Sequence, residues 1–124
     1  MTATERAVEL ARAAAEAAAD LLADEIIALD VSEQLVITDV FIVASADNER
    51  QVRSIVEAVE DRLKALDASP VRREGLKEGR WVLLDFGEVV VHVQHTQDRE
   101  FYSLERLWKD CPVVELPASV RAPR

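Results

Sequence analysis

The sequence predicts an α/β (α+β) fold, a single mixed sheet of about five strands flanked by helices. The main observation is the segment RWVLLDFGEVVVHV, residues 80–93, in which two apolar runs flank a turn containing Gly87. Continuous apolar runs favour strands that are covered on both faces. A second observation is the order of periodicities along the chain, which is α, β, β, α, β, β, β, α. We therefore expect the helices to pack on this hairpin and its neighbouring strands.

The first half of the chain predicts two helices separated by two strands. Residues 2–5 can form a capping box, and alanine-rich periodicity predicts a helix over residues 4–23. Residues 25–31 and 35–44 predict strands, the second broken near Asp39 because aspartate is rare inside buried strands. Asn48 and Gln51 predict an N-cap for the second helix. Its apolar stripe consists of Val52, Ile55, Val56, Val59 and Leu63.

The second half predicts a short strand, the hairpin and a third helix. Residues 71–74 form the short strand, and residues 85–88 form the hairpin turn. Residues 96–98 would cap the third helix, in which Phe101, Leu104 and Trp108, with Leu107 beside them, point inward. Three prolines in the last fourteen residues predict that residues 111–124 form an extended or disordered tail. The predicted single domain is therefore residues 1–110.

Composition and net charge limit the classes of protein to which this chain could belong. The lone Cys111 cannot form a disulfide within the chain, and the N-terminus lacks the apolar segment of a signal peptide. Without a run long enough to span a bilayer, we expect a soluble cytoplasmic protein and no membrane partner. The net charge of -9 opposes tight binding to bare nucleic acid and favours a basic protein as partner. Many acidic domains, however, carry such a charge for solubility alone.

Catalytic and cofactor motifs are weak in this sequence. Its three glycines cannot assemble a phosphate loop or a dinucleotide fingerprint, so no cofactor is expected. His92 and His95 would point to different faces of a strand, and a hydrogen-bonded histidine is favoured over a metal ligand. Asp39 and Asp85 could serve as paired carboxylates, but nothing in the sequence brings them together. Asp85 is better explained as a turn residue and Asp39 as a strand break.

Aromatic residues give a stronger indication of an interaction surface. Trp81, Phe86 and Tyr102 are three of the six aromatic residues. Such residues usually fill a core or its rim, but they also anchor protein interfaces when they are exposed near a sheet edge. Phe86 lies at the predicted hairpin tip, where burial is difficult. We therefore expect an exposed apolar patch near this tip.

These segments also resemble a known family. IIALDVS, ITDVFIVASA with the following NERQV, REG, RWVLLDFGEVVVHV and REFYSLERLW, within residues 26–108, resemble the ribosomal silencing factor family, also called the iojap family. The resemblance implies a non-enzymatic factor that binds the large ribosomal subunit through large-subunit ribosomal protein fourteen. Bound there, it would sterically block joining with the small subunit and repress translation under nutrient limitation or in stationary phase. It also implies a core similar to that of nucleotidyltransferases, although their Gly-Ser with paired acidic residues is absent here.

Carried over to this sequence, the resemblance implies Trp81, Phe86 and Tyr102 as partner-binding residues. The family signature also includes four positions for which a structural role is open, namely Asp39, Asp85, His92 and Glu105. Two alternatives remain open at this point. One is a metal-dependent nucleotidyltransferase-like enzyme that uses Asp39 and Asp85, and the other is a homodimeric scaffold in which the hairpin surface pairs with itself. Sequence-specific binding of nucleic acid is not expected.

Overall fold

The structure, a computed structural model, describes residues 2–121. The helices are α1 (Glu5–Asp20), α2 (Glu49–Lys64), α3 (Thr96–Tyr102), α4 (Leu104–Leu107) and α5 (Ala118–Arg121). The strands are β1 (Asp24–Asp30), β2 (Val40–Ala46), β3 (Arg72–Glu74), β4 (Trp81–Asp85) and β5 (Val89–His95). They form one sheet in the order β1-β2-β5-β4-β3, with β2 and β5 parallel and the other neighbours antiparallel. The predicted mixed five-stranded sheet flanked by helices is confirmed.

The helices α1 and α2 cover one face of the sheet and enclose the main core. The α1 contact surface is almost entirely alanine, which lets the helix lie close to α2 and to the strands. The predicted apolar stripe of α2 is completely buried. Asn48 caps α2 as predicted, since its side chain accepts from the Gln51 N–H at 2.8 Å. In α1 the cap is Thr4, whose Oγ1 accepts from the Ala7 N–H, and not Thr2.

The hairpin occupies the middle of the sheet, but only one of its arms is covered on both faces. All seven residues of β5 are buried. In β4, burial alternates, so that Val82 and Leu84 lie in the main core while Trp81 and Leu83 are half-buried. The expectation of two fully covered arms is therefore wrong for β4. The second face has less helical cover, and it leaves β4 partly open.

A smaller apolar cluster lies on the second face of the sheet. Its buried members are Leu29, Val31, Phe41, Val90 and Cys111. The described part of the predicted tail, residues 111–121, passes along the β1 edge of the sheet, with Cys111 in this cluster and Val114, Leu116 and Val120 in the main core. The Asp30 N–H donates to the Pro112 carbonyl and the Val114 N–H to the Ala28 carbonyl, each at 2.8 Å. The boundary predicted after residue 110 therefore does not coincide with a break in packing, and residues 122–124 lie outside the described part of the chain.

The predicted third helix is two short helices. Ser103 has φ 47°, in the left-handed region, and separates α3 from α4. The N-cap of α3 is His95, whose Nδ1 accepts from the Gln97 N–H at 3.1 Å, and not a residue within 96–98. Leu104 is buried as predicted, but Phe101 is 81 % exposed because the break at Ser103 turns α3 relative to α4. Leu107 is also 77 % exposed, so the expectation that it points inward is wrong. Phe101 is thus part of the surface and not of the core.

Candidate functional site

The face of the sheet opposite α1 and α2 carries a continuous row of ring side chains, which we call the aromatic row. Its members, in order of contact, are Trp108, Phe41, His92, Trp81, Tyr102 and Phe101. Successive ring centroids lie 5.2, 5.1, 6.1, 5.1 and 4.9 Å apart. Such tilted or edge-to-face contacts contribute about 0.5–1.5 kcal/mol each beyond the burial of area. The row therefore links the buried second face to α3.

One end of the aromatic row is accessible to a partner. Phe41 and His92 are buried and Trp81 is half-buried, whereas Tyr102 is 53 % exposed and Phe101 is 81 % exposed. Leu107 of α4 is also exposed. Contiguous exposed aromatic surface of this kind marks sites of protein interaction, because such rings lose little entropy when they become buried. The structure thus brings the rings of Trp81 and Tyr102 into contact.

A hydrogen bond fixes Trp81 against the strand beside it. Its Nε1–H donates to Nδ1 of His92 at 3.1 Å. The proton of the neutral imidazole therefore resides on Nε2, which is buried and has no hydrogen-bond partner among residues 2–121. Burial lowers the pKa of His92 to about 4, so the ring is neutral near pH 7. His92 thus positions Trp81.

Phe86 lies on the opposite face from Trp81. It is half-buried and packs against the main core beneath the helices. The reason is the two-residue period of a strand, which places Val82, Leu84 and Phe86 on one side and Trp81 and Leu83 on the other. The expectation that Phe86 is exposed at the tip is therefore wrong, and the structure does not bring it together with the other two predicted contact residues.

Asp39 and Asp85 are both engaged by backbone groups. Oδ2 of Asp39 accepts from the Thr4 N–H at 2.9 Å, which holds the chain just before α1. Oδ1 of Asp85 accepts from the Gly87 N–H at 2.8 Å, as predicted for a turn residue. The two residues lie at the same end of the sheet but are separated by β5. Within residues 2–121, no group of three or more acidic, histidine or cysteine side chains could hold a metal ion.

Glu105 has a partner that the sequence analysis missed. Its Oε2 accepts from Nε of Arg99 at 2.9 Å, and Arg99 is only 6 % exposed. Nη1 of Arg99 also donates to the Asp24 carbonyl at 3.1 Å and to Oγ of Ser45 at 3.0 Å. This partly buried ion pair ties α3 and α4 to the ends of β1 and β2. The residue spacing gave no signal, because the pair spans the left-handed break between the helices.

Comparison with known proteins places the chain in a family. The model of a family described as "Ribosomal silencing factor during starvation" matches residues 4–124. The chain belongs to the ribosomal silencing factor family. A ribosomal silencing factor of Bacillus subtilis is 38 % identical over 103 residues, which cover 83 % of this chain and 87 % of the relative. The chloroplastic protein Iojap of Zea mays is 36 % identical over 111 residues, which cover 90 % of this chain and 46 % of that protein.

Solved structures agree with this membership of the silencing factor family. A crystal structure of a Chromobacterium violaceum protein has a TM-score of 0.79 at 39 % identity and covers 82 % of this chain and 84 % of that one. One from Bacillus halodurans has a TM-score of 0.76 at 36 % identity and covers 87 % and 98 %. The family resemblance is thereby confirmed, and the family is named for a regulatory role and not for catalysis. Across residues 2–121 no helix is both long and apolar enough to cross a membrane.

Proposed function

We propose that this chain docks on the large ribosomal subunit through large-subunit ribosomal protein fourteen and sterically blocks joining with the small subunit. Translation would then be repressed when nutrients are limiting, in the cytoplasm where the ribosomes work. The observation that carries the proposal is the exposed end of the aromatic row, where Tyr102 and Phe101 are accessible beside the half-buried Trp81. A protein partner would bury these rings on docking.

The rigidity of this end of the row supports its use as an anchor. Trp81 is held by the His92 hydrogen bond and by the Tyr102 ring, with centroids 5.1 Å apart. A side chain that is already fixed loses little rotamer entropy on binding, so more of its burial contributes to affinity. Interface energy is concentrated in a few such residues, with tryptophan and tyrosine among the most frequent. Phe101 takes the place in the proposed surface that the sequence analysis gave to Phe86.

Charge also supports a basic partner. The net charge of -9 attracts a basic protein and steers its approach at low ionic strength. The same charge opposes binding through exposed ribosomal RNA, because an acidic protein meets the phosphate backbone with repulsion. The proposed docking is therefore a contact of protein with protein.

Occlusion follows from the size of the bound domain. A folded chain of this length has a radius of gyration of roughly 14 Å. If it occupies the face that must meet the small subunit, the two subunits cannot approach to contact distance. The mechanism needs no chemical step.

Sedimentation of purified subunits tests both parts of the proposal. Large and small subunits are mixed with and without the protein, in magnesium sufficient to form the joined ribosome. We expect the protein to sediment with the large subunit while the joined peak declines. If the protein remains at the top of the gradient and the joined peak is unchanged, the proposal fails.

The same exposed rings also favour self-association as a second candidate. Two copies that bury Phe101 and Tyr102 against each other would remove this apolar surface from water. Docking and dimerisation would then exclude each other, because they use one surface. Sedimentation velocity over a range of protein concentrations, with Tyr102→Ala beside the unaltered chain, would detect such a dimer. A dimer that persists in this variant would place its interface elsewhere.

A further inference from the structure

A cleft of about 640 Å³ opens where α3 and α4 meet the ends of β1, β2 and β5. Its lining includes four acidic and three basic side chains, namely Asp24, Glu25, Glu100, Glu105, Arg99, Arg106 and Lys109. Small-molecule sites commonly have volumes of about 300–1,000 Å³ and a few convergent polar groups. The proposed docking mechanism makes no use of this cleft.

A bulge in β1 places two consecutive residues in the cleft. On a regular strand Asp24 and Glu25 would point to opposite faces. The pairing register of β1 with β2 shifts between Asp24 and Ile27, and Glu25 has φ 48° in the left-handed region. Bulges of this kind redirect side chains and are common beside functional sites. Both acidic residues line the cleft as a result.

The guanidinium of Arg99 lies at the base of the cleft, where hydrogen bonds hold it in place. The three hydrogen bonds of Arg99 use its Nε and Nη1, which leaves Nη2 as a further donor group. Oε1 of Glu105 and Oγ1 of Thr96 are enclosed and have no hydrogen-bond partner in the described part of the chain. The terminal torsion of a glutamate is soft, so a small rotation would turn Oε1 toward the cleft. Unpaired buried polar atoms are costly, and a ligand group that pairs with them gains this energy.

The rim carries charges of both signs that do not neutralise one another. Among residues 2–121, Asp24, Glu25 and Glu100 form no ion pair within 4.0 Å, and neither do Arg106 and Lys109. Elsewhere, many exposed arginines on this protein are paired with a carboxylate. Opposite charges therefore line one cleft without pairing with each other, so a bridging group could contact both signs.

We propose that this cleft binds a small zwitterion, specifically a free α-amino acid. Its carboxylate would accept from the Arg106 and Lys109 side chains and from Nη2 of Arg99. Its ammonium group would donate to the rim carboxylates of Asp24, Glu25 and Glu100. The acidic rim residues would repel a simple anion, and the basic rim residues would repel a simple cation. A zwitterion is attracted by both sets of residues. This inference does not depend on docking to the ribosome.

Titration of the full-length protein with individual amino acids tests the proposal. Two-dimensional ¹H–¹⁵N NMR spectra are recorded with each common α-amino acid up to about 10 mM, a range that covers millimolar and tighter affinities. Acetate and methylammonium serve as single-charge controls. We expect saturable shifts at the amides of Ser45, Arg99 and Ser103 with at least one amino acid, and none with the two controls. Acetate or methylammonium binding as tightly as every amino acid would overturn the zwitterion assignment.

Substitutions of two exposed residues test whether binding occurs in this cleft. Glu100→Gln and Arg106→Gln each remove one of the opposing charges and should weaken the best amino acid about tenfold. Matched changes on α2, Glu57→Gln and Arg50→Gln, should leave the affinity unaltered. The proposal is overturned if no amino acid gives a saturable shift, or if both cleft variants bind as tightly as the unaltered chain. Unchanged spectra of the free variants would show that their fold is retained.

Discussion

The indole Nε1–H of Trp81 donates a hydrogen bond to Nδ1 of His92, with 3.1 Å between the two nitrogens. This contact joins the exposed part of the aromatic row to the centre of the sheet. His92 can accept this bond only while Nδ1 is unprotonated. The orientation of a proposed contact residue therefore depends on a buried neutral histidine.

Burial of His92 makes the stability of the fold depend on pH. Burial lowers the pKa of His92 to about 4, below the value of 6.5 for a free histidine. Between these values the unfolded chain binds the proton and the folded chain does not, so acidification favours unfolding. We expect the free energy of unfolding to fall as the pH decreases from 6.5 toward 4, by about 3 kcal/mol in all. Urea unfolding at a series of pH values measures this change.

The variant His92→Phe isolates this contribution. It removes the titrating group, so the slope of unfolding free energy against pH in this window should decrease by up to about 1.4 kcal/mol per pH unit. The variant is compared by slope, because loss of the Trp81 acceptor also lowers its absolute stability. An unchanged slope would show that other groups cause the acid sensitivity.

The ion pair between Arg99 and Glu105 should stabilise the attachment of α3 and α4. Glu105→Ala leaves the buried Arg99 guanidinium without its carboxylate, and we expect a loss of about 2 kcal/mol, reduced from the fully buried case because Glu105 is partly exposed. Glu60→Ala is the matched control, since it breaks the more exposed pair with Arg73. That change should cost less than about 1 kcal/mol. Equal losses in the two variants, measured by urea unfolding, would show that burial of Arg99 does not make its ion pair more stabilising than the exposed pair.

Local sequence patterns predict most of the secondary structure. Tertiary contacts explain most of the differences between the predicted and the observed structure. The α2 stripe and the Asn48 cap follow from spacing within one helix, so the sequence alone was sufficient. The Arg99–Glu105 pair depends on the left-handed Ser103 between two helices, which residue spacing does not reveal. Phe86 is predicted to be exposed at the hairpin tip, but the strand alternation continues into the turn and places its ring against the main core. Which face of the hairpin is open depends on the packing of α3, and this packing is not a local property.

The segment after residue 110 should contribute to stability. Leu116 is buried in the main core, while Val113 on the same segment is largely exposed. Leu116→Ala should lower the free energy of unfolding by about 2–3 kcal/mol, because it leaves a cavity. Val113→Ala should change it by less than about 0.5 kcal/mol. If both substitutions prove neutral in urea unfolding, residues 111–121 do not pack stably in solution.

Tyr102 offers the clearest test of the proposed docking surface. Trp81 is a less suitable probe, because its replacement also removes the bond to His92. Tyr102→Ala removes an exposed ring that contacts Trp81, and it should leave the fold intact. We expect it to weaken binding to the large subunit by about 2 kcal/mol, or about thirtyfold. Binding is measured by pelleting with purified large subunits over a range of protein concentrations.

Val71→Ala serves as the control for this measurement. Val71 is also largely exposed, but it lies beside the far end of β4, where its N–H donates to the Asp85 carbonyl at 2.7 Å. Loss of exposed apolar area there should leave the affinity unchanged. If Val71→Ala weakens binding as much as Tyr102→Ala does, the contact is not specific to the aromatic row. If a folded Tyr102→Ala protein binds as tightly as the unaltered chain, the docking surface lies on another face of the molecule.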